Sequence, residues 1–264
     1  MDKASWGGVA LGCTGIVGGL LLEGGNLSQV LQPTAAMIVF GGTAGAVLLQ
    51  FPLPVVVTAV RRLSNVFLQP KADPEHTVTE LVKYGNRARR EGIVSLDAEL
   101  DKISDPFLQK ALMLAVDGTE PEELRSMMEL ELQNHADQED KIPQVFESAG
   151  GFSPTIGIIG AVLGLIQVMQ HLDKLDEVGR GIAVAFVATI YGVGAANLFL
   201  LPAAGKLRIR IREEQILREL TLEGVVSILE GMNPRMLETR LRGFLSESRT
   251  ATVKAPATEA PHEI

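Results

Sequence analysis

The 264-residue sequence is poor in the residues on which several classes of protein depend. Its single cysteine, Cys13, excludes an intrachain disulfide framework and any CxxC metal or redox motif. Aromatic residues make up only 5% of the chain and the formal net charge is −8, a combination that argues against nucleic-acid binding. The four histidines are scattered without the spacing of metal ligands, and the motifs of hydrolases, nucleotide-binding proteins and dehydrogenases do not occur. The sequence therefore predicts neither an enzyme nor a protein with a metal or cofactor.

Charge is absent from four long apolar runs. The runs cover about residues 6–22, 33–60, 152–170 and 181–205. A helix of about 20 apolar residues crosses the roughly 30 Å of bilayer hydrocarbon. The sequence therefore predicts an all-α integral membrane protein with four transmembrane helices and a helical cytoplasmic domain. A cleaved signal peptide is the alternative for the first run, but no A-x-A-like cleavage site follows it.

The basic residues are distributed asymmetrically about these runs. Of the 24 lysines and arginines, all but Lys174 and Arg180 lie before the first run, between the second and third, or after the fourth. Because cytoplasmic loops carry an excess of basic residues, this distribution predicts that both termini are cytoplasmic.

The same pattern divides the chain into five segments. Residues 1–60 form a first transmembrane pair and 151–205 a second pair. Between them, 61–150 forms a cytoplasmic helical domain. A helical extension over 206–248 and a disordered tail over 249–264 complete the prediction.

Local signals mark helix boundaries within these segments. Asp73 and Asp105, each followed by proline, are typical N-caps, and Ser153 before Pro154 resembles them. Pro154 is therefore expected at the first position of span three. Pro202 lies inside span four, where proline kinks a helix; it is either a structural kink or a hinge.

An ion pathway through these spans lacks an obvious ion-binding group. Spans two, three and four contain no Asp, Glu, Lys or Arg, although proton paths in membranes usually use an ionisable side chain. Thr189, near the middle of span four, cannot carry a proton at neutral pH, and its hydroxyl could simply bond to its own helix. If the chain conducts protons, another chain must supply a carboxylate.

Four stretches resemble a known family when taken together. They are residues 18–25, 38–43, 153–166 and 182–192, and the similarity extends over about residues 4–245. They resemble flagellar motor stator A subunits (MotA/PomA), members of the MotA/TolQ/ExbB proton channel family. The resemblance implies a protein of the bacterial inner membrane that converts ion-motive force into torque.

The resemblance also implies partners and roles. Five A subunits would surround a dimer of MotB-like B subunits, whose aspartate would bind the proton. Thr189 would face that aspartate, with Ala161 and Thr155 also on the ion path. Pro154 and Pro202 would take part in the conformational response to ion binding.

A charged pair in the cytoplasmic domain would engage the rotor protein FliG. The resemblance assigns Arg89 and Asp97 to that pair, with Arg90 as an adjacent alternative. The family usually has glutamate where Asp97 stands, so this assignment is less direct. From the residues alone, the basic cluster is either a solvated helix face or a docking surface.

Ion choice and function leave alternatives open. Sodium-driven relatives commonly have threonine at the position of Ala161, so the missing hydroxyl favours H⁺ over Na⁺. One alternative function is an ExbB/TolQ-like energiser of envelope transport, whose three spans differ from the four predicted here. The other is a non-conducting membrane scaffold, which would tolerate Thr189→Val.

Overall fold

A computed structural model describes residues 2–68 and 73–254. Within these ranges the chain forms helices and turns without a strand. Four helices are long and apolar enough to cross a membrane: Lys3–Leu22, Pro33–Gln50, Pro121–Gln170 and Asp176–Leu229. The predicted all-α fold with four transmembrane helices is therefore confirmed.

Twelve helices are numbered here in chain order, with π-helical turns treated as parts of the long helices. They are α1 (Lys3–Leu22), α2 (Leu27–Val30), α3 (Pro33–Gln50), α4 (Leu53–Arg62), α5 (Ser64–Phe67), α6 (Pro74–Glu91), α7 (Asp97–Leu100), α8 (Pro106–Val116), α9 (Pro121–Gln170), α10 (Leu175–Ala195), α11 (Leu201–Leu229) and α12 (Pro234–Lys254). A π-turn, Met37–Gly41, lies inside α3, and another, Ala196–Leu200, joins α10 to α11.

The chain divides into two compact units. The membrane unit comprises residues 1–70 and 138–210, and the polar unit comprises residues 71–137 and 211–264. These limits differ from the segment limits at 60, 150 and 205 expected from hydropathy. Helices α9 and α11 each contribute residues to both units, because a helix need not end where its apolar stretch ends.

The second apolar run is not one helix. Span α3 ends at Gln50, Phe51 is extended with φ −118° and ψ 142°, and α4 begins at Leu53. The prediction of a continuous span over residues 33–60 is therefore wrong. Pro52 explains the break, because proline lacks the N–H that a helix needs and pushes the preceding residue out of the helical region.

The third apolar run, by contrast, has no boundary at its start. Helix α9 continues through both Pro143 and Pro154 as a single helix of 50 residues. The expectation that Pro154 occupies the first helical position after a Ser153 cap is therefore wrong. Ser153 is buried inside the helix, so its neighbours in the fold override a local capping signal.

The fourth run continues beyond the apolar stretch, as predicted. Helix α11 extends to Leu229, and Gly231, with φ 76°, separates it from α12. Since α12 ends at Lys254, residues 249–254 are helical and the predicted disordered tail does not begin at 249. The rest of that tail, 255–264, lies outside the described residues.

The polar unit folds around a large leucine-rich core. The N-caps predicted for its helices are confirmed, since the Asp73 and Asp105 side chains accept backbone N–H bonds at the starts of α6 and α8. Fully buried core side chains come from α6, α8, α9, α11 and α12; they include Leu81, Leu112, Leu124, Leu220 and Leu237. An ion-pair cluster, in which Glu223 meets both Arg125 and Arg240, further links α9, α11 and α12.

In the membrane unit, the start of α1 is fixed by a buried ionic cluster. The Asp2 carboxylate lies 2.6 Å from Lys206 Nζ and 3.0 Å from Arg210 Nη2, and it also caps α1 by accepting the Ala4 N–H. The hydrogen bond from Lys206 lowers the pKa of Asp2 to about 2, although burial opposes the shift. Asp2 therefore ties the first span to the helix that follows Pro202.

Replacing Asp2 by Asn should separate this ionic role from capping, because asparagine is an equally good N-cap. The folded pKa of Asp2 lies below its ordinary value of 3.8, so the carboxylate stabilises the fold above pH 4 and that contribution is lost as pH falls towards 2. We expect Asp2→Asn to lower the melting temperature of the detergent-solubilised protein by a few degrees at pH 7 and to flatten its pH dependence between pH 4 and 2. Asp73→Asn, at a cap without such an ion pair among the described residues, is the matched control; equal melting temperatures for both variants would contradict the ionic role.

Candidate functional site

Helices α9 and α10 approach so closely in the membrane unit that only glycine fits at several positions. A Cβ atom built on Gly157 would lie 2.9 Å from the Ala188 carbonyl oxygen, and one on Gly164 would lie 2.8 Å from that of Gly181. From the other side, a Cβ on Gly192 would lie 2.6 Å from the Ser153 carbonyl oxygen. Contacts below 3 Å are not tolerated, so a larger residue here would push the helices apart.

The contact of α9 with α10 at Gly157, Gly164 and Gly192 forms a glycine seam. It shows which pairs of glycines spaced four residues apart contact another helix of the same chain. Gly160 and Gly164, which are four residues apart in the sequence, both face α10. The similarly spaced Gly15 and Gly19 of α1 and Gly41 and Gly45 of α3 have open space around them in this chain. Gly8 of α1 also has open space around it, whereas a Cβ on Gly12 would lie 3.3 Å from the Leu198 side chain. Spacing alone therefore does not distinguish glycines that contact another helix from glycines that do not.

Thr189 lies on the seam. A Cβ on Gly157 would be 3.5 Å from the Thr189 Cα, so the threonine backbone rests directly against α9. Its half-buried hydroxyl donates a 3.3 Å hydrogen bond to the Ala185 carbonyl, which confirms the bond within its own helix that was one of the alternatives. Because that bond uses only the hydroxyl hydrogen, the oxygen lone pairs can still accept a hydrogen bond from another group.

The other two residues assigned to the ion path lie on α9 beside the seam. The Thr155 hydroxyl is exposed and donates to the Phe152 carbonyl at 2.8 Å, while Ala161 is half-buried. Pro154 also lies on the seam, because a Cβ built on Gly192 would be 3.2 Å from the Pro154 Cα. The structure thus brings Pro154 and Thr189 to the same stretch of the seam.

A tyrosine near the C-terminal end of α10, to which the sequence assigned no role, contacts the segment between α1 and α3. The Tyr191 hydroxyl donates to the Val30 carbonyl at 2.5 Å and accepts from the Gln32 N–H at 3.3 Å. Its ring stacks on Phe40 with centroids 5.9 Å apart. Tyr191 therefore fixes the loop between α1 and α3, a tertiary contact for which the sequence holds no signal.

Near the loop between α9 and α10 lies a small polar pocket of about 210 Å³. Its polar lining consists of Gln32, Thr34, Gln167, Glu177 and Arg180. It is polar and roomy enough for several water molecules. Since both Gln167 and Arg180 flank the apolar parts of their helices, the pocket marks one end of the seam.

Pro202, at the other end of α10, follows a π-turn. Proline clashes with the carbonyl four residues before it, and the wider Ala196–Leu200 turn accommodates that clash. A cavity of about 490 Å³ borders Pro202 and Ala203 and reaches Lys206. Pro202 therefore has the two requirements of a hinge, a weakened helix and space beside it, although the static geometry is also that of a structural kink.

The basic cluster of the polar unit contains two kinds of arginine. Arg87 is bound by Glu91 and Glu99, and these carboxylates raise the pKa of Arg87 while the guanidinium lowers the pKa of Glu99. Arg89 and Arg90 are exposed, and among the described residues no carboxylate lies within ion-pair distance of either. Arg87 is thus a structural residue, whereas Arg89 and Arg90 present free positive charge.

A third arginine, which the sequence did not single out, joins them. Arg235, at the start of α12, lines the same cleft of about 400 Å³ as Arg89 and Arg90, together with the amides Asn86 and Asn233. Asp97 is exposed at the first residue of α7 and is not part of this cleft. Arg90 and Arg235 are 145 positions apart in the sequence, which explains why no motif could join them.

These features combine uncharged spans, a glycine seam with a threonine on it, and a cationic cleft. Over the residues that the structure describes, no group of three or more histidine, cysteine, aspartate or glutamate side chains could hold a metal ion. Two family models match the chain: residues 99–219 match the MotA/TolQ/ExbB proton channel family, and residues 7–91 match the N-terminal model of motility protein A.

Individual relatives agree along nearly the whole chain. Motility protein A of Bacillus subtilis (strain 168) is 35% identical over 250 residues, covering 93% of this chain and 91% of the relative. The C. jejuni MotAB structure superposes with a TM-score of 0.87 at 30% identity, covering 92% of this chain and 96% of its counterpart. The flagellar MotAB stator complex of Bacillus subtilis superposes with a TM-score of 0.84 at 33% identity, covering 96% and 100%.

The chain therefore belongs to the MotA/TolQ/ExbB proton channel family. Within that family it is a flagellar motor stator A subunit, as its match to the motility protein A model and the stator structures shows. It is accordingly an integral protein of the inner membrane, from a family of motor and channel subunits and not of known enzymes. The motility-specific N-terminal match disfavours an ExbB/TolQ-like energiser.

Proposed function

We propose that this subunit, as a pentamer around a dimer of B subunits, conducts protons and turns the rotor protein FliG. The observation that carries the proposal is Thr189 on a glycine seam between spans that contain no ionisable residue. Such a path needs a carboxylate from another chain, and the structures that resemble this one are of complexes with a B subunit.

The proton-binding step uses the two-sided chemistry of a hydroxyl. A proton from the outer side neutralises the B-subunit aspartate, and the resulting carboxyl O–H donates to a lone pair of Thr189 Oγ1. The threonine hydrogen meanwhile stays on the Ala185 carbonyl. When the proton leaves towards the cytoplasm, the carboxylate accepts a hydrogen bond and the threonine hydroxyl turns to donate it. Each protonation state thus has its own arrangement of bonds.

Proton selectivity follows from what the path lacks. Na⁺ needs several oxygen ligands, and Ala161 supplies none at a position beside the seam. A proton needs only the carboxylate that it binds. We therefore assign H⁺ as the transported ion.

Pro202 transmits the change to the cytoplasmic side. One elementary charge crossing 100 mV supplies about 2.3 kcal/mol, which is several times the thermal energy. The π-turn and the adjoining cavity allow α11 to bend relative to α10 at that energy. Pro154, packed on the seam against Gly192, is the corresponding point on α9.

The rotor meets the cationic cleft. Arg89, Arg90 and Arg235 form a concentrated positive surface without acidic partners among the described residues, which suits carboxylates on a partner protein. Asp97 supplies a negative charge nearby in sequence for basic groups of the rotor. This assignment places both termini in the cytoplasm, as the positive-inside pattern predicts.

Thr189→Val should test the ion path, because valine keeps the volume and removes the hydroxyl. In vesicles that contain the complex with an unplugged B subunit, we expect proton flux to fall about ten- to a hundredfold, as for loss of a buried hydrogen bond. Thr189→Ser should retain most of the flux. Thr58→Val is the matched control, since Thr58 makes the same bond to its own helix outside the seam.

Each outcome of the flux measurement is decisive. Flux that follows the pH gradient and requires the B-subunit aspartate supports the proton-driven stator. Flux that requires sodium would keep the stator and overturn the argument from Ala161. Unchanged flux in Thr189→Val would remove Thr189 from the ion path, and no flux under either gradient would favour a non-conducting scaffold.

Pro202→Ala should test the hinge. Alanine restores a backbone N–H donor and stiffens the junction between α10 and α11, so we expect several-fold lower torque at a normal level of assembled complex. Pro143→Ala, which changes a proline inside α9 that has no adjacent π-turn, is the control. Equal torque for the two variants in a tethered-cell assay would refute the hinge.

Arg235→Glu should test the rotor surface. We expect recruitment of fluorescently labelled stators to motors to fall several-fold, as for Arg89→Glu, and to recover when an acidic residue of FliG is reversed. Arg242→Glu, on the same helix but already paired with Glu75 and Glu238, is the control for added negative charge. Normal recruitment with Arg235→Glu would remove Arg235 from the surface.

A further inference from the structure

The loop that joins α9 to α10 contains a histidine whose two ring nitrogens both face hydrogen-bond acceptors. Nδ1 of His171 lies 3.0 Å from the Gln167 carbonyl oxygen, and Nε2 lies 3.3 Å from Oε2 of Glu177. Gln167 belongs to the last turn of α9, and Glu177 belongs to the first turn of α10. The histidine therefore connects the ends of the two helices that form the seam.

The contact with Gln167 caps the end of α9. The last four carbonyls of a helix have no N–H donor within that helix. The backbone N–H of His171 donates to the Val168 carbonyl at 3.1 Å, so the His171 ring is the group that reaches the Gln167 oxygen. A positively charged ring at this position also interacts favourably with the negative end of the helix dipole.

The contact with Glu177 adds a second acceptor. Nζ of Lys174 donates to Oε1 of Glu177 at 3.1 Å, which leaves Oε2 to face His171. A backbone carbonyl and an ionised carboxylate accept hydrogen bonds and donate none. A neutral imidazole has one N–H and can bond to only one of these two acceptors, whereas an imidazolium has two N–H groups and can bond to both. The geometry is therefore that of a protonated histidine.

The surroundings of the histidine contain few other charges. Three further charged side chains lie on this loop or in the first turns of α10: Asp173, Asp176 and Arg180. Within the part of the chain that the structure describes, none of them lies within ion-pair distance of an opposite charge. Arg180 lines the polar pocket beside Glu177, and the start of α3 adds only uncharged side chains to that pocket. His171 and Lys174 are thus the two cations that contact the Glu177 carboxylate.

We propose that His171 is a pH-responsive tie between the end of α9 and the start of α10. Histidine changes its charge between about pH 5 and 8. In acidic solution the imidazolium donates to both Gln167 and Glu177, and the tie is closed. In alkaline solution the ring has a single N–H, so one of the two bonds is lost and the loop becomes more mobile. The proposal rests on the proposed orientation of the chain in one respect, which is that the solution outside the cell sets the state of the tie.

The effect of the tie is local. The side chains of His171 and Glu177 are 34% and 37% exposed, and ion pairs at such positions contribute little to the stability of a whole fold. We therefore expect a change in the order of the loop while the membrane unit stays folded. An open tie also leaves Glu177, which lines the polar pocket, with Lys174 as its one cationic contact among the described residues.

A spin label at Leu172 tests the tie. Leu172 is 61% exposed and follows His171 in the loop. The label is attached to Leu172→Cys in a chain with Cys13→Ser, within the full complex with a cysteine-free B subunit in lipid nanodiscs, which expose both faces of the membrane to one pH. We expect the ratio of mobile to immobile label to rise about two- to threefold from pH 5.5 to pH 8, as for loss of a partly exposed ion pair. A spectrum that does not change with pH would overturn the proposal.

Two substitutions of His171 have opposite expected results. His171→Gln is neutral at every pH, so the label should be mobile at both pH values. His171→Lys stays positively charged, so the label should be immobile at both. His76→Gln, at another exposed histidine next to a carboxylate, is the matched control and should keep the response of the unsubstituted chain. The same response in His171→Gln would assign the pH dependence to another group and refute the tie.

Glu177→Gln tests the acceptor on α10. The amide lacks the negative charge, so we expect the response of the label to pH to fall at least twofold. Asp173→Asn, at an exposed carboxylate of the same loop, should leave the response unchanged. Equal responses in the two variants would refute the contact with Glu177.

A second label position checks that the response belongs to this loop. Leu31, which is 70% exposed and precedes α3, should carry a label whose spectrum is the same at pH 5.5 and pH 8. An equal response at Leu31 would indicate a general effect of pH and refute the tie. These spectra need neither proton flux nor a rotor, so a negative result here leaves the proposed ion path standing, and a negative flux result leaves the tie standing.

Discussion

The close approach of α9 and α10 is the constraint on which the membrane unit depends. In lipid there is no hydrophobic force between helices, so association relies on backbone contact and van der Waals packing. The seam provides both, because Gly157, Gly164 and Gly192 leave no room for a side chain. This packing fixes the position of α9 relative to α10, and with it the positions of Pro154 and Thr189.

The same seam explains why the chain has no carboxylate of its own between α9 and α10. Two helices in backbone contact leave no volume between them for a solvated carboxylate, and burying an unpaired charge there would be costly. The Thr189 hydroxyl is tolerated because it is bonded to its own helix, and its oxygen can still accept a hydrogen bond. The absence of charge from the spans is therefore a requirement of the packing as well as a feature of the sequence.

Much of the fold could be predicted from the sequence, because hydropathy and capping are local signals. The four spans and the caps at Asp73 and Asp105 follow from residues adjacent in the chain. The failures at Pro52 and Pro154 have a common cause. Proline ends one helix and is accommodated in another, and tertiary packing that the sequence does not display decides which occurs.

The candidate sites divide in the same way. Thr189, Pro202 and the arginines of α6 stand out in the sequence by type and position, whereas Arg235 joins Arg89 only through the fold. Tyr191 is likewise recognisable only by its contact with Val30, far away in the chain. The helices that form the cleft come from distant segments of the chain. The residues proposed to bind the partner therefore come together only in the folded structure. A local motif can identify the family, but the cleft depends on which helices meet.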